Sequence, residues 1–330
     1  MALRKLLQKP MFPRYLVQGG FFLFFCWLGW RFHHWVAAVA TTGSAPFPRP
    51  AAVDGFLPIS GLGGLRYWFA TGSLHPVHPA AALILLAALL TGLFLKRGFC
   101  SWVCPVFPLS EILWRTGLRL TGRNFAPPFW FDLLLRSLKY LLLAFFLWQI
   151  LVAMPLPGLQ AFLASPYHQI ADVRMLQFFL APGPILIGFI LVFMVLALFV
   201  QNPWCRYLCP YGALLGLVSL ASLTRIHRNP HLCVRCNACS SRCPAWLPVM
   251  LKSTIRSPEC YACYRCVQGC PAPGALEMKV LARFRLPSLV FALFLLLLFL
   301  GADLYGRSQK RWHNAVADRD IAVLLRESRR

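Results

Sequence analysis

The sequence predicts an α-helical integral membrane protein of about five transmembrane helices, with a small α+β module inserted before the last helix. Three observations lead to this fold class. Hydrophobic residues make up 58% of the 330 residues and charged residues only 13%, a composition that would leave a soluble domain with a very large exposed apolar surface. Five apolar segments are long enough to cross a bilayer. A cysteine-rich stretch separates the fourth segment from the fifth.

Each predicted span approaches the roughly 20 helical residues that a hydrocarbon core of roughly 30 Å requires. The spans lie at 16–38, 77–95, 133–153, 183–200 and 286–303. Arg31, His33 and His34 interrupt the first span, so its outer end either stops near Trp30 or lets these side chains reach the interface. The basic N-terminal segment precedes a full-length span with no small-residue cleavage site, so we expect no cleavable signal peptide.

Lysine and arginine cluster in the N-terminal segment, after the second span, and between the fourth and fifth spans, whereas the alternate loops hold few. Because basic loops remain cytoplasmic, we predict a multi-pass protein of the bacterial cytoplasmic (inner) membrane with the cysteine-rich stretch on the cytoplasmic side. With five spans, the arginine-rich tail departs from this rule: either it is an exported amphipathic helix or the fifth segment is re-entrant. The net charge of +23 indicates contact with anionic membrane lipid, and no nucleic-acid partner is predicted.

Two cysteine runs of identical spacing, C-x2-C-x2-C-x3-C-P, lie between the fourth and fifth spans. In bacterial ferredoxins this spacing holds two [4Fe-4S] clusters, each with three ligands from one run and the fourth from the other. The predicted ligands are Cys233, Cys236, Cys239 and Cys270 for cluster 1, and Cys260, Cys263, Cys266 and Cys243 for cluster 2. Zinc is the alternative, but a third thiolate two residues after a C-x2-C pair is not zinc spacing.

These motifs divide the chain into three predicted domains. Residues 1–224 form a four-helix membrane domain, residues 225–285 a two-cluster ferredoxin domain, and residues 286–330 the fifth span with its basic tail.

Two more cysteine pairs follow the second and fourth spans. The segment LKRGFCSWVCP contains Cys100 and Cys104, and VQNPWCRYLCP contains Cys205 and Cys209. Each is a tryptophan-bearing C-x3-C-P motif between two apolar helices, so the two segments form an internal repeat. The four thiols are redox candidates: they could form a four-thiolate site for a further metal or cluster, bind Cu(I), or cycle as dithiol and disulfide. Cys26 stands alone in the first span and is interpreted as a small hydrophobic residue.

The order of the four cysteine motifs resembles that of the membrane-bound ferredoxins of the NapH/NosR type, a group that includes MauN and the CcoG/RdxA/FixG copper-handling proteins. The resemblance extends from the first span to about residue 280. It implies a protein that takes electrons from the quinol pool and passes them through iron–sulfur clusters to a protein redox partner. The chain differs from NosR in lacking an exported flavin-binding domain, from CcoG in lacking a large domain after the last span, and from four-span NapH in its fifth span and tail. The terminal acceptor stays open.

A quinol site needs a polar group near the interface, a flat apolar slot and a proton route. The segment GLRYWFATGSLHPVHP offers Arg66, His75 and His78 as quinol candidates, and His168 is a weaker one. Their alternative role is capping and anchoring at the interface. Haem ligation by these histidines is not predicted, because one sequence does not place two of them face to face.

The sequence contains no nucleotide-binding glycine loop and no Ser-His-Asp arrangement. We therefore predict an electron-transfer component of a quinol dehydrogenase-type system. Two other functions stay open. One is a copper reductase or assembly factor like CcoG, with Cu(I) at the C-x3-C-P thiols, and the other is an iron–sulfur redox sensor.

Overall fold

The structure is a computed structural model that describes residues 10–327. Within that range it contains fifteen α-helices and one small sheet. The helices are α1 Phe12–Thr42, α2 Pro58–Thr71, α3 Pro79–Leu95, α4 Gly98–Trp102, α5 Val106–Thr121, α6 Phe129–Leu147, α7 Leu156–Ala164, α8 Pro166–Gln169, α9 Ala171–Leu180, α10 Pro184–Phe199, α11 Pro210–Val218, α12 Ala238–Ser241, α13 Arg265–Gln268, α14 Ser288–Ser308 and α15 Asp318–Glu327. The strands are β1 Thr224–Arg228, β2 Thr254–Ile255, β3 Leu276–Val280 and β4 Phe284–Arg285. Two π-helical turns, Trp148–Ala153 and Trp204–Leu208, follow α6 and α10.

The described chain forms two compact units, and each is assembled from three stretches of sequence. The first unit contains residues 10–23, 88–143 and 190–298, and it holds all twelve motif cysteines. The second contains residues 24–87, 144–189 and 299–327.

Proline and glycine set several helix ends. Pro79, Pro184 and Pro210 occupy the first position of α3, α10 and α11, where the missing N–H would have had no partner within the helix. Gly72 and Gly122 end α2 and α5 with φ angles of 74° and 71°, a left-handed conformation that glycine adopts without steric cost.

Two helices of the described chain are long and apolar enough to cross a membrane. They are Phe129–Ala153, which is α6 with its π-helical turn, and α14. The pair α9 and α10, bent by 75° at a short break, is a third candidate if it forms one span. Predicted span 77–95 forms α3, which has only 17 residues. Predicted span 16–38 lies within α1, which has 31 residues but does not reach the apolarity of the two spanning helices. The protein is therefore a helical membrane protein, and the number of five spans stays a prediction.

The predicted α+β module contains a four-stranded antiparallel sheet in the order β2-β1-β3-β4. The central strands β1 and β3 come from opposite ends of the module. Ile226 of β1 lies in register with both Ile255 of β2 and Met278 of β3, and all three side chains are buried. One face of the sheet thus forms an apolar base, against which the cysteine-bearing loops pack.

The second unit has its own hydrophobic core. Leu28, Phe32 and Trp35 line one face of α1, and the amphipathic α15 packs Ile321 and Leu325 into the same cluster. Ala315 N also donates to Pro76 O at 3.0 Å. The basic tail therefore folds back as an amphipathic helix on the later half of the first helix.

Gly117 permits a close contact between α5 and α10 in the first unit. A Cβ at this position would lie 1.6 Å from the carbonyl oxygen of Leu198 on α10.

We expect Gly117→Ala to force α5 and α10 apart and to destabilise the protein by about 1–3 kcal/mol or more. The measurement is the thermal unfolding midpoint in detergent, which should be lower than that of the wild type. Gly188→Ala on α10, where a Cβ meets nothing within 4 Å, is the matched control; equal midpoints for both variants would contradict the packing described.

Candidate iron–sulfur and redox site

The four cysteines predicted for cluster 2 line one cavity. Cys243, Cys260, Cys263 and Cys266 line it together with apolar side chains such as Ile226 and Ile255. The thiols interact electrostatically with one another. Cys243 thus lies among three cysteines of the other run, the arrangement that the two-cluster spacing predicts. Four thiols around one cavity fit the donor set that a [4Fe-4S] cluster requires.

The cysteines predicted for cluster 1 lie closer to solvent. Cys239 and Cys270, from different runs, interact electrostatically. Cys233 is half-buried and Cys236 is exposed. A cluster held here would lie nearer to the protein surface than one held in the cavity.

The backbone beside the cysteines repeats an unusual conformation. Four non-glycine residues, two and four positions after the first cysteine of each run, have φ between 52° and 59°: Arg235, Asn237, Ala262 and Tyr264. This left-handed conformation costs of order 1–3 kcal/mol per residue and is typical of functional sites. It lets backbone N–H groups turn towards sulfur, as at Cys233, which the N–H of Arg235 approaches, and at Cys263, which the N–H of Arg265 approaches. Such donors tune cluster potentials.

The four C-x3-C-P thiols converge. Cys205 interacts electrostatically with Cys209, Cys104 and Cys100, and Cys104 interacts with Cys100 and Cys209. In each repeat the first cysteine lies in a short helical turn, α4 or the π-helical turn Trp204–Leu208, and the second lies just before the next helix. The internal repeat in the sequence thus becomes one site contributed by both repeats.

The residues between these cysteines hold the ferredoxin loops in place. Ser101 Oγ donates to Tyr261 O at 2.7 Å, and Trp102 Nε1 donates to Ala262 O at 3.1 Å. Arg206 Nη1 donates to Ala245 O at 2.9 Å. All three acceptors lie one or two residues from a cysteine of the cavity. The four-thiol site is therefore directly adjacent to the predicted cluster 2.

Glu259, which precedes Cys260, is the ionic centre of this region. Its carboxylate accepts from Lys139 Nζ at 2.7 Å, Arg97 Nη1 at 3.1 Å and Tyr140 OH at 3.0 Å. Burial alone would raise the pKa of Glu259, but the cations of Arg97 and Lys139 outweigh it and lower that pKa to about 2. The cysteine spacing did not predict a role for Glu259. The signal that could have found it is an acidic residue next to a ligand in a chain with only 10 acidic residues.

Burial disfavours simple thiol chemistry at the four-thiol site. Burial, and after it the neighbouring Cys100 thiol, raises the pKa of the Cys104 thiol to about 12. The thiolate is the nucleophile in thiol–disulfide exchange, so a free Cys104 thiol would stay protonated and react slowly at neutral pH. Ligation to a metal instead replaces the proton.

The three quinol candidates, all in the second unit, have different surroundings. Arg66 donates to Ile150 O and Met154 O, so it caps the π-helical turn after α6. His75 Nδ1 accepts from the backbone N–H of Val77 at 3.2 Å. These two side chains have local structural partners. Of the three, His78 is the one that contacts a carboxylate, at Asp54.

The cluster around His78 contains two acids that the sequence analysis did not single out. His78 Nδ1 lies 2.7 Å from Asp54 Oδ1, and its Nε2 lies 2.9 Å from His168 O. Both partners are acceptors when Asp54 is ionised, so His78 must be an imidazolium to donate to both. Asp172 accepts from Arg49 Nε at 2.8 Å, and ligand atoms of Asp54, His78 and Asp172 lie within 4.8 Å of one another.

Arg49 and protonated His78 balance the two carboxylates, so this buried cluster is neutral without a metal ion. His168 is the remaining titratable neighbour. Burial and the adjacent His78 lower its pKa to about 3, so its ring stays neutral. The cluster thus combines one charged and one uncharged imidazole.

Comparison with known families supports iron–sulfur clusters in this chain. A family model described as a 4Fe-4S binding domain matches residues 77–125 and again residues 182–229, the two halves of the internal repeat. A model described as a 4Fe-4S dicluster domain matches residues 225–271. The chain is 44% identical over 250 residues to the putative electron transport protein YccM of Escherichia coli, covering 76% of this chain and 70% of that protein.

The chain belongs to the NapH/NosR-type family of membrane ferredoxins. It is 30% identical over 208 residues to the ferredoxin-type protein NapH of Escherichia coli, covering 58% of this chain and 66% of NapH. It is 37% identical over 178 residues to the methylamine utilization ferredoxin-type protein MauN of Paracoccus denitrificans, covering 50% and 56%. No solved structure matches the chain. The prediction of 4Fe-4S clusters and an electron-transfer role is thereby confirmed for this membrane ferredoxin.

Removing the charge of Glu259 tests the ionic centre. Glu259→Gln leaves Lys139 and Arg97 buried without a carboxylate, and we expect a loss of about 3–5 kcal/mol in stability. Because folding lowers the pKa of Glu259, its contribution is fully present above the unfolded value of about 4.3 and is lost as pH falls towards about 2. Thermal unfolding at pH 7 and pH 3 measures both effects.

Glu277→Gln is the matched control, because Glu277 makes only partly exposed ion pairs with Lys279 and Arg285. A Glu259→Gln variant no less stable at pH 7 than Glu277→Gln would rule out the role assigned to Glu259.

Proposed function

We propose that this membrane ferredoxin transfers electrons one at a time between quinol and a protein redox partner. The observation that carries the proposal is the four-cysteine cavity of the ferredoxin module, held by direct hydrogen bonds from the C-x3-C segments at the ends of membrane helices. Two [4Fe-4S] clusters would be held by Cys233, Cys236, Cys239 and Cys270, and by Cys260, Cys263, Cys266 and Cys243. Each cluster, when bound, takes up and gives up one electron.

The acid–base cluster of the second unit supports quinol as the membrane donor. Oxidation of a quinol releases two protons with its two electrons, so its site needs titratable groups shielded from lipid. His78, Asp54 and His168 are buried and in mutual contact. Of the candidates Arg66, His75 and His78, the proposal keeps His78 as a proton relay and gives the other two structural roles. Because His78 is already protonated, it would pass its Nδ1 proton to Asp54 as it takes up a proton from quinol.

A basic concavity beside the ferredoxin module supports an acidic protein partner. Arg115, Arg242 and Arg265 line it together with Tyr15 and Gln268, and no acidic side chain is among its lining residues. Arg242 and Arg265 directly precede Cys243 and Cys266, two predicted ligands of cluster 2. An acidic surface bound here would lie close to that cluster, and such charge complementarity accelerates encounter.

The membrane topology is part of the proposal. Lysine and arginine are concentrated in the segments that carry the cysteine motifs, which supports a cytoplasmic ferredoxin module in the inner membrane. The tail helix α15 packs on the later half of α1. This supports the exported alternative for the tail, since five spans place it on the side where the first span ends.

Anaerobic purification with iron and sulfide assays and low-temperature EPR tests the clusters. We expect at least about eight irons per chain, the content of two [4Fe-4S] clusters, and EPR signals that develop on adding a reduced quinol analogue. Cys243→Ser should lose about four irons, whereas Cys26→Ser should lose none. Copper without iron would favour the metallochaperone alternative, and clusters that quinol does not reduce over repeated turnovers would favour a redox sensor.

Substitution of His78 tests the quinol site. His78→Gln removes the imidazolium and its charge-assisted bond to Asp54, and we expect quinol-driven cluster reduction to slow by about 100-fold, the lower range for acid–base groups. Reduction by dithionite should not change, because it bypasses quinol. His34→Gln, at an exposed histidine of α1, is the control. Equal quinol rates for the two variants would remove His78 from the proposal.

A further inference from the structure

The four C-x3-C-P cysteines form a second type of thiol site, outside the ferredoxin module. Cys100 and Cys205 are buried, and Cys104 and Cys209 are partly buried. Each thiol interacts electrostatically with others of the set. Four convergent cysteines in a protein interior are the donor set of an iron–sulfur cluster, a structural zinc ion or a Cu(I) ion.

Two helix N-termini point at this site. The backbone N–H of Gly212, at the start of α11, donates to Cys209 Sγ at 3.3 Å. At the equivalent place in the other repeat, the N–H groups of Val106 and Phe107, at the start of α5, approach the sulfur of Cys104. Helix N-termini carry partial positive charge, so both repeats stabilise negative charge on their second cysteine.

Arg97 adds a full positive charge. It is completely buried, and its guanidinium interacts with the thiols of Cys100, Cys205 and Cys209. Its Nε and Nη2 atoms have no oxygen acceptor. A Cβ on Gly212 would meet Nη2 at 2.8 Å and Cys209 Sγ at 3.6 Å, so glycine leaves the space in which the guanidinium reaches the sulfur. Buried donors without an acceptor indicate an anionic group at this place.

The spacing of the sulfurs separates a cluster from a single ion. A tetrahedral metal ion bound at about 2.3 Å places its thiolate sulfurs about 3.8 Å apart. Between residues 10 and 327, no three cysteine sulfurs lie within 4.8 Å of one another. The same holds for the ferredoxin cysteines, whose segment matches the 4Fe-4S dicluster model. The sulfur spacing at the four-thiol site is therefore too wide for one tetrahedral ion and is compatible with a cluster.

We propose that Cys100, Cys104, Cys205 and Cys209, two from each repeat, bind a third [4Fe-4S] cluster between the ends of the membrane helices and the ferredoxin module. Four thiolates give such a cluster a net negative charge, which Arg97 and the two helix N-termini offset. Lys139 contributes as well, since its charge acts on Cys209. The proposal rests on the proposed electron-transfer function and adds one cofactor to its path, next to cluster 2.

Iron stoichiometry tests the proposal directly. We expect the anaerobically purified wild-type protein to contain about twelve irons per chain, the content of three [4Fe-4S] clusters. The double variant Cys100→Ser/Cys205→Ser should retain about eight irons and lose one component of the Mössbauer and EPR spectra. Cys26→Ser, the matched cysteine control, should keep about twelve.

A second variant separates this site from the ferredoxin clusters. Cys243→Ser should lose a different spectral component and keep the one that Cys100→Ser/Cys205→Ser removes. Wild type with about eight irons, unchanged in Cys100→Ser/Cys205→Ser, would overturn the third cluster but leave the proposed function intact. The third cluster would also be overturned by one copper or zinc ion per chain that is lost only in Cys100→Ser/Cys205→Ser. Wild type without iron would overturn the proposed function itself.

A folding control keeps the test decisive. Ser101, Trp102 and Arg206 support the ferredoxin loops, so a distorted repeat could release cluster 2 as well. Arg97→Lys keeps all twelve cysteines and the charge but removes the guanidinium donors from the sulfurs. We expect it to retain about twelve irons and to shift the midpoint potential of the third component most, with a smaller shift for cluster 2, because Arg97 also donates to Glu259 beside Cys260. An unchanged set of potentials would place Arg97 outside the site and overturn the geometry proposed.

Discussion

The first compact unit depends on buried carboxylates that each bind more than one cation. The chain has 33 basic and only 10 acidic residues, and a buried unpaired charge is costly. Three carboxylates therefore serve seven cations among the described residues: Arg14, Arg115 and Arg265 at Glu111, Arg136 and Arg206 at Asp132, and Arg97 and Lys139 at Glu259. The surplus positive charge lies beside the cysteines, where anionic clusters would balance it. Clusters bound there would therefore stabilise this unit electrostatically.

The same ion pairs explain how a soluble type of module is fixed to membrane helices. Arg206 binds Asp132 through two hydrogen bonds of 2.7 Å and also donates to the loop after Cys243. In the other repeat, Ser101 and Trp102 donate to the loop that follows Cys260. Both halves of the internal repeat therefore donate hydrogen bonds to loops that line the same cavity. Each C-x3-C segment therefore has two roles. Its cysteines belong to the four-thiol site, and the residues between them donate hydrogen bonds to the loops around the predicted cluster 2.

The second unit handles charge in the opposite way. Its cluster of Asp54, His78, Asp172 and Arg49 is neutral, so it has no electrostatic need for a bound cation, and the uncharged ring of His168 lies against it. One unit thus carries excess positive charge around thiols, and the other carries balanced acids and bases. This division matches a protein that handles electrons in one unit and protons in the other.

The sequence by itself determined the cluster chemistry, because ligand spacing within a short run is a local property that one chain segment can satisfy. It also indicated the membrane setting, the internal repeat and the inserted α+β module, since composition and hydropathy are local as well. Only the tertiary structure decided which thiols meet, that Glu259 and Arg97 lie beside them, and that His78, rather than Arg66 or His75, joins Asp54. Those contacts join residues from about 24 to 160 positions apart, and no local pattern specifies a partner at such a distance. The five-span count depends on α1 and α3, which are weaker in apolarity or length, so hydropathy alone did not settle it.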